Sequence, residues 1–174
     1  MSPKLRDGTA LSKKTHTKKP VLFYGTAADY GEFSNWFPAE FTYDGMKWEN
    51  TEQAFMYYKS NDAEYQKVVR RTTDPREVKK LGRRCKLRSD WDSVKYDIML
   101  AVNLAKFKQN PALAELLLGT EDRPIHEDCK DPWWGGGPNF PGGHDYLGKV
   151  LVEVRRQLRF ELTDSEKNHS SEGE

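Results

Sequence analysis

The sequence predicts an α+β fold, a single helix-rich domain with a small N-terminal β-hairpin or sheet. Short β-type runs stand at the front of the chain, and apolar residues at three- and four-residue spacing fill the rest between clear start and stop signals. No internal repeat or linker divides the 174 residues, about one domain's length.

Val21-Leu22-Phe23-Tyr24 reads as a short strand after Pro20. Phe41-Thr42-Tyr43 and Met46-Lys47-Trp48 flank Asp44-Gly45, a strong two-residue hairpin signal. Asn50 with Gln53 three residues on makes a variant capping box that starts a helix through about Tyr58. A second helix spans roughly Ala63–Arg71. Asp74-Pro75-Arg76-Glu77 opens a third, expected to reach Leu81 and stop at Gly82. Ser89 or Asp90 caps what reads as the longest helix, about Trp91–Lys108, with Val94, Ile98, Ala101, Val102 and Ala105 on one stripe. Asn110-Pro111 ends it and opens another that carries Leu113, Leu116 and Leu117 and terminates at Gly119. Ile125 sits on a short strand. Residues 128–145, with five glycines and three prolines, form a long loop, ordered by Trp133, Trp134 and Phe140. Leu147, Val150, Leu151, Val154 and Leu158 close the domain with an amphipathic helix.

The formal charge of +1 conceals an asymmetry. Residues 1–20 hold six basic residues against Asp7 alone, and residues 161–174 hold five acidic residues against Lys167. Both are expected to be disordered, a basic leader and an acidic tail around a domain at 21–160. Residues 12–19 read as a solvated leader, with nuclear localisation or nucleic-acid contact as the alternative. Cys85 and Cys129 lack metal or disulfide spacing, so a reducing, intracellular setting is expected. No apolar run approaches a membrane span and no secretory apolar core stands at the N-terminus, so no membrane association is expected.

The chemistry-bearing residues cluster in two runs, Trp48–Gln53 and Asp131–Gly137, which place carboxylates beside tryptophans expected to be exposed. Carboxylates can serve an oxocarbenium-like transition state at a sugar–base bond, and flat rings can hold a base. Glu52 stands in the first turn of its helix, where a carboxylate is also simply stabilising. Lys59, seven residues on, is expected two turns along the same face, offering an amine toward the same side. Phe33, Ser34 and Asn35 lie in a segment that reads equally as a packed turn and as a nucleotide wall. Arg83, Arg84, Lys86 and Arg88 precede Trp91 and could receive a pyrophosphate, with a solvated loop as the competing account.

Seven fragments in order carry a resemblance. Phe23-Tyr24 with Phe33-Ser34-Asn35, Trp48-x-x-Thr51-Glu52 with Lys59, Leu81-Gly82-Arg83, Leu87-Arg88-x-x-Trp91, Lys106-Phe107, Asp131-x-x-Trp134-Gly135 and Leu147-Gly148-x-x-Leu151-x-x-Val154-Arg155 resemble the NADAR, or YbiA-like, family over residues 21–160. Gln53 stands where the family pattern carries a histidine, and Asp145 where an asparagine is common. The resemblance implies an intracellular N-glycosidase of NAD, ADP-ribose or riboflavin-precursor chemistry. It makes Glu52 the central acid/base, puts Asp131 across the cleft, and gives Lys59 as the pocket lysine. Trp91 and Trp134 would lie against the substrate, with Phe33, Ser34, Asn35, Arg83, Arg88 and Gly135 completing its binding. The expected substrate is an ADP-ribose-containing nucleotide or ADP-ribosylated nucleic acid, cleaved at guanine without metal or cofactor, and no obligate protein partner is evident. A phosphorylated ribosylamine of riboflavin synthesis and a non-catalytic ADP-ribose or NAD reader are the alternatives.

Overall fold

The structure, a computed structural model, describes residues 18–171, so what was expected of residues 1–17 and 172–174 lies outside the described residues. Its strands are β1 (Val21–Phe23), β2 (Phe41–Tyr43), β3 (Met46–Trp48) and β4 (Ile125–Glu127). Its helices are α1 (Thr51–Tyr57), α2 (Ala63–Arg71), α3 (Pro75–Arg84), α4 (Trp91–Gln109), α5 (Pro111–Leu118) and α6 (Tyr146–Ser171).

The hairpin forms as its turn residues dictate. Asp44 and Gly45 both take positive φ, 53° and 70°, which suits the right-handed strand twist, and Phe41 pairs with Trp48. β1 does not join it. It pairs in parallel with β4 instead, Val21 opposite Ile125 and Phe23 opposite Glu127, so the front of the chain contributes to two separate two-stranded sheets. A parallel partner needs a long crossover, and helices α1–α5 supply it.

Side-chain caps start three helices: Asn50 accepts from the Gln53 amide, Asp62 from Tyr65 and Asp74 from Arg76. α3 runs through Gly82 to Arg84 rather than stopping at the glycine. Gly82 is buried in the helix interior because a Cβ there would strike the Met56 thioether of α1, so close packing and not termination requires glycine. α4 packs on α6 and α1, and its apolar stripe meets the buried Leu147, Val150, Leu151 and Val154. The longest helix is α6, 26 residues, not α4 with 19. Residues 161–171, expected as a disordered tail, continue it. Once its buried face anchors the helix, each added polar residue gains a backbone bond without a new nucleation cost.

Candidate active site

Glu52 is the second residue of α1, only 5% exposed although it is an acid. Its amide donates to the Asn35 carbonyl at 2.9 Å, and the Trp36 side chain lies beside its carboxyl and favours the charged form. Oε1 is buried with no hydrogen-bond partner. Burial pushes the carboxyl up from 4.5 to about 7; the Lys79 and Lys59 ammonium groups pull it down, and Asp131 pushes it up. An acid buried with one oxygen unmatched costs stability, and such groups concentrate where proton transfer is performed.

Two carboxylates face it from the other half of the chain. Asp131 opens the long loop, its Oδ1 accepting from the Trp133 and Trp134 amides at 2.9 and 2.8 Å, which holds the carboxylate in place across from α1. Glu127 ends β4, and burial pushes its carboxyl to about 7, Lys79 opposing and Glu52 and Asp131 reinforcing the shift. Glu127 and Lys79 were missed in the sequence. The available signal was alternation: Glu127 shares a strand face with the core residue Ile125, and a carboxylate aimed inward is out of place there.

Lys59 reaches the site by another route than expected. α1 ends at Tyr57, so Lys59 lies in the following turn, beyond any second helical turn on the Glu52 face. Its amide donates to Met56, and its carbonyl accepts from Arg88 at 3.0 Å. The ammonium lies 6.0 Å from the Trp91 ring centroid and acts on Glu52. Arg88 is committed elsewhere. Its guanidinium makes two bonds to Asp90, 2.6 and 3.0 Å, which fasten the turn that presents Lys59. Arg83 is exposed on the last turn of α3.

The aromatic assignments change most. Trp48, expected to be exposed, is 1% exposed and stacks beneath Arg70 at 4.3 Å. Phe33 is fully buried against Phe23 and Phe107, so it is core and offers no stacking face. Trp91 is a core residue against Phe55, ring centroids 5.0 Å apart, leaving at most an edge for a ligand. Trp134 is only partly buried and meets Phe55 edge-on, ring centroids 5.3 Å apart. Ser34 accepts from the Trp36 amide and Asn35 accepts from Asn103, so both shape the segment that supports Glu52. That segment is held by Lys106, another residue whose role the sequence did not reveal. It is fully buried, donates to the Glu32 and Ser34 carbonyls at 2.7 and 3.0 Å, and is pushed down to about 7 by burial.

The loop at 128–145 is ordered by its own backbone. Gly136 donates to Glu127, Asp145 to Gly135 and Leu147 to Trp134. Gly135 is buried where a Cβ would meet the Cys129 carbonyl, so its lack of a side chain lets the loop close on itself. Burial pushes the Cys129 thiol up to about 11, which leaves it without thiolate character at neutral pH. Beside Asp131 a cavity of about 250 Å³ opens, lined by Lys130, Pro132, Phe140 and Gly143. Gln53, in the place of the family histidine, is buried and bridges Glu49 to the α2 C-terminus at Val69 and Thr72. Among the described residues no three His, Cys, Asp or Glu side chains are grouped to hold a metal ion, and no helix is long and apolar enough to cross a membrane.

The NADAR domain profile matches residues 22–159. The chain belongs to the NADAR family. It is 39% identical over 144 residues to "N-glycosidase YbiA" of Shigella flexneri, covering 81% of this chain and 89% of the relative. "Riboflavin biosynthesis protein VVA0006" of Vibrio vulnificus is 31% identical over 145 residues, 82% of this chain but 39% of that longer protein. The NMR structure of the Escherichia coli protein YbiA superposes with a TM-score of 0.75 at 32% identity, covering 87% of this chain and 92% of that one. The α+β fold with short strands is therefore the fold of a solved NADAR relative.

Proposed function

We propose that this NADAR protein is an N-glycosidase that hydrolyses the bond between C1 of an ADP-ribose-type ribose and a guanine nitrogen, releasing ADP-ribose. The observation that carries the reading is the buried, unpartnered Oε1 of Glu52, placed among Asp131, Lys59 and Lys79. A group near neutrality can both give and take a proton at physiological pH. In direct hydrolysis, Glu52 takes the proton of the attacking water as the C1–O bond forms and returns one to the leaving nitrogen. Asp131 lies where negative charge stabilises the positive charge that develops at C1.

When the bond runs to the exocyclic amine, the ribose ring can open to an imine. The Lys59 amine then adds at C1 and the guanine amine leaves, giving a Schiff base. Water hydrolyses it, returning the lysine and an aldehyde that closes to ADP-ribose. Trp134 supports the base. No step calls for a metal or cofactor, so EDTA leaves the rate unchanged; a chelator-sensitive rate restored by one metal would contradict this.

The name of the Vibrio relative favours a second reading, a phosphorylated ribosylamine of riboflavin synthesis as substrate. The same carboxylates serve that bond. Mass spectrometry of products from ADP-ribosyl-guanosine, NAD and ribosylamino-pyrimidine phosphate, incubated side by side, tests both. ADP-ribose from the first supports the proposal. Turnover of only the last replaces it, and binding without turnover makes the protein a reader.

A further inference from the structure

Lys106 is the largest polar side chain that the described residues bury completely, and the reaction as written does not use it. Its hydrogen-bond partners are backbone oxygens and no carboxylate. The amine donates to the Glu32 and Ser34 carbonyls at 2.7 and 3.0 Å, with the Phe37 and Phe107 ring centroids 5.8 and 5.2 Å away. An apolar residue of the same length would avoid the cost of burying an amine, so what the two bonds hold is the question. They hold a segment with little structure of its own: residues 31–33 make one 3₁₀ turn, followed by the Phe37 amide on the Ser34 carbonyl. Helix α4 supplies the rest. Met99, Asn103 and Lys106 recur at four and three residues on one face of it, Asn103 Nδ2 donating to Asn35 Oδ1 at 3.2 Å and Asn35 Nδ2 to Met99 Sδ at 3.3 Å.

The segment in turn holds α1. The Glu52 amide stands at a helix start, where no partner exists within the helix, and the Asn35 carbonyl accepts from it at 2.9 Å. A second tie follows, the Ala39 amide donating to the Glu49 carbonyl at 3.1 Å. An unbroken run of bonds therefore leads from α4 through residues 32–35 to Glu52. We propose that Lys106, assisted by Asn103, is a positioning residue of the active site: it clamps residues 32–35 to α4 and so fixes where the first turn of α1 presents Glu52. This deepens the reading of Glu52 as the acid/base and rests on it. Lys106→Met keeps the length and the apolar stem but cannot donate, so both carbonyls lose their bond from α4. The packing of α4 on α6 is apolar, around residues such as Leu151 and Val154, and receives no bond from Asn103 or Lys106.

The test is amide hydrogen exchange of the free, full-length protein, followed by NMR in wild type, Lys106→Met and Asn103→Ala, with kcat and KM measured on whichever substrate is turned over. The Glu52 amide is expected to exchange about tenfold or more faster in Lys106→Met and by a smaller factor in Asn103→Ala, while the Leu151 and Val154 amides keep their wild-type rates. In Lys106→Met kcat falls by about tenfold or more, with KM within about twofold of wild type. A Glu52 amide that exchanges as in wild type overturns the proposal. So does equal acceleration of the Glu52 and α6 amides, the signature of a residue that serves overall stability alone, and so does an unchanged kcat beside a faster Glu52 amide. If Lys106→Met does not fold, the same comparisons on Asn103→Ala decide. Since the exchange measurement needs no substrate, a protein inert toward every candidate bond overturns the functional reading and leaves this test intact.

Discussion

At the position of Glu52, one side chain is asked to be buried, nearly neutral and chemically useful. Its carboxyl lies near 7 in the fold against 4.5 ordinarily. The folded protein therefore holds this proton more tightly than the unfolded chain, so its contribution favours folding below about pH 4.5 and is lost as pH rises through about 7. Glu52→Gln removes that loss. Relative to wild type, the variant should gain on the order of 3 kcal/mol between pH 5 and pH 8, read as a rise in Tm difference across those two buffers. The same variant should lose a hundredfold or more in kcat, on the order of 3 kcal/mol of barrier, together with the pH limb near 7. Lys59 has its own test. Borohydride added during turnover should fix a sugar-derived mass on the peptide that holds Lys59 in wild type and none in Lys59→Ala; an active Lys59→Arg with no adduct in wild type would leave direct hydrolysis as the route. That Glu52, Lys59 and Asp131 come together was legible because Glu52 and Asp131 each lie in a short run with tryptophan and Lys59 follows Glu52 closely in the chain. Glu127, Lys79 and Lys106 were not, because a strand of three residues and a lone lysine on a helix carry no spacing that says which way they point. Phe33, Trp48 and Trp91 were misread for the reverse reason: an aromatic ring fits a core and a ligand wall equally well, and only burial separates the two.

Element boundaries were legible wherever a side chain closes a backbone bond. Asn50, Asp62 and Asp74 each cap a helix, and α2 begins and ends at the residues its pattern predicts. Glycine misled at 82, where the same residue type that ends helices was selected by contact with Met56. Gly82→Ala accordingly should lower stability by roughly 1–2 kcal/mol in urea unfolding, the clash outweighing alanine's better helix propensity. A stabilised variant would show that α3 moves freely away from α1. The pairing of β1 with β4 was illegible for a different reason. Short apolar strands carry no register or partner information of their own, and the parallel match is set only once α1–α5 have placed Ile125 beside Val21.

Across the whole molecule, charge is distributed with a bias that a net value of +1 hides. Residues 63–88, which include α2 and α3, carry ten basic residues against three acidic ones, and Arg76, Lys80, Arg83 and Arg84 are exposed on the helix that sends Lys79 into the site. If the modified guanine lies in a strand, kcat/KM for an oligonucleotide should fall steeply between 50 and 200 mM salt, about tenfold or more, while that for the nucleoside changes little. Arg76→Glu with Arg84→Glu should weaken the oligonucleotide reaction alone; equal salt dependence of both substrates would show that only the nucleotide is read. The family and the fold stand on the NADAR match and the YbiA superposition. The central claim, that Glu52 drives cleavage of a ribosyl–guanine bond, is tested most directly by single-turnover product analysis of wild type and Glu52→Gln on ADP-ribosyl-guanosine. Stoichiometric ADP-ribose and guanosine from wild type, with the variant still binding but at least a hundredfold slower, is the result expected; equal product from both proteins, or none from wild type, would contradict it.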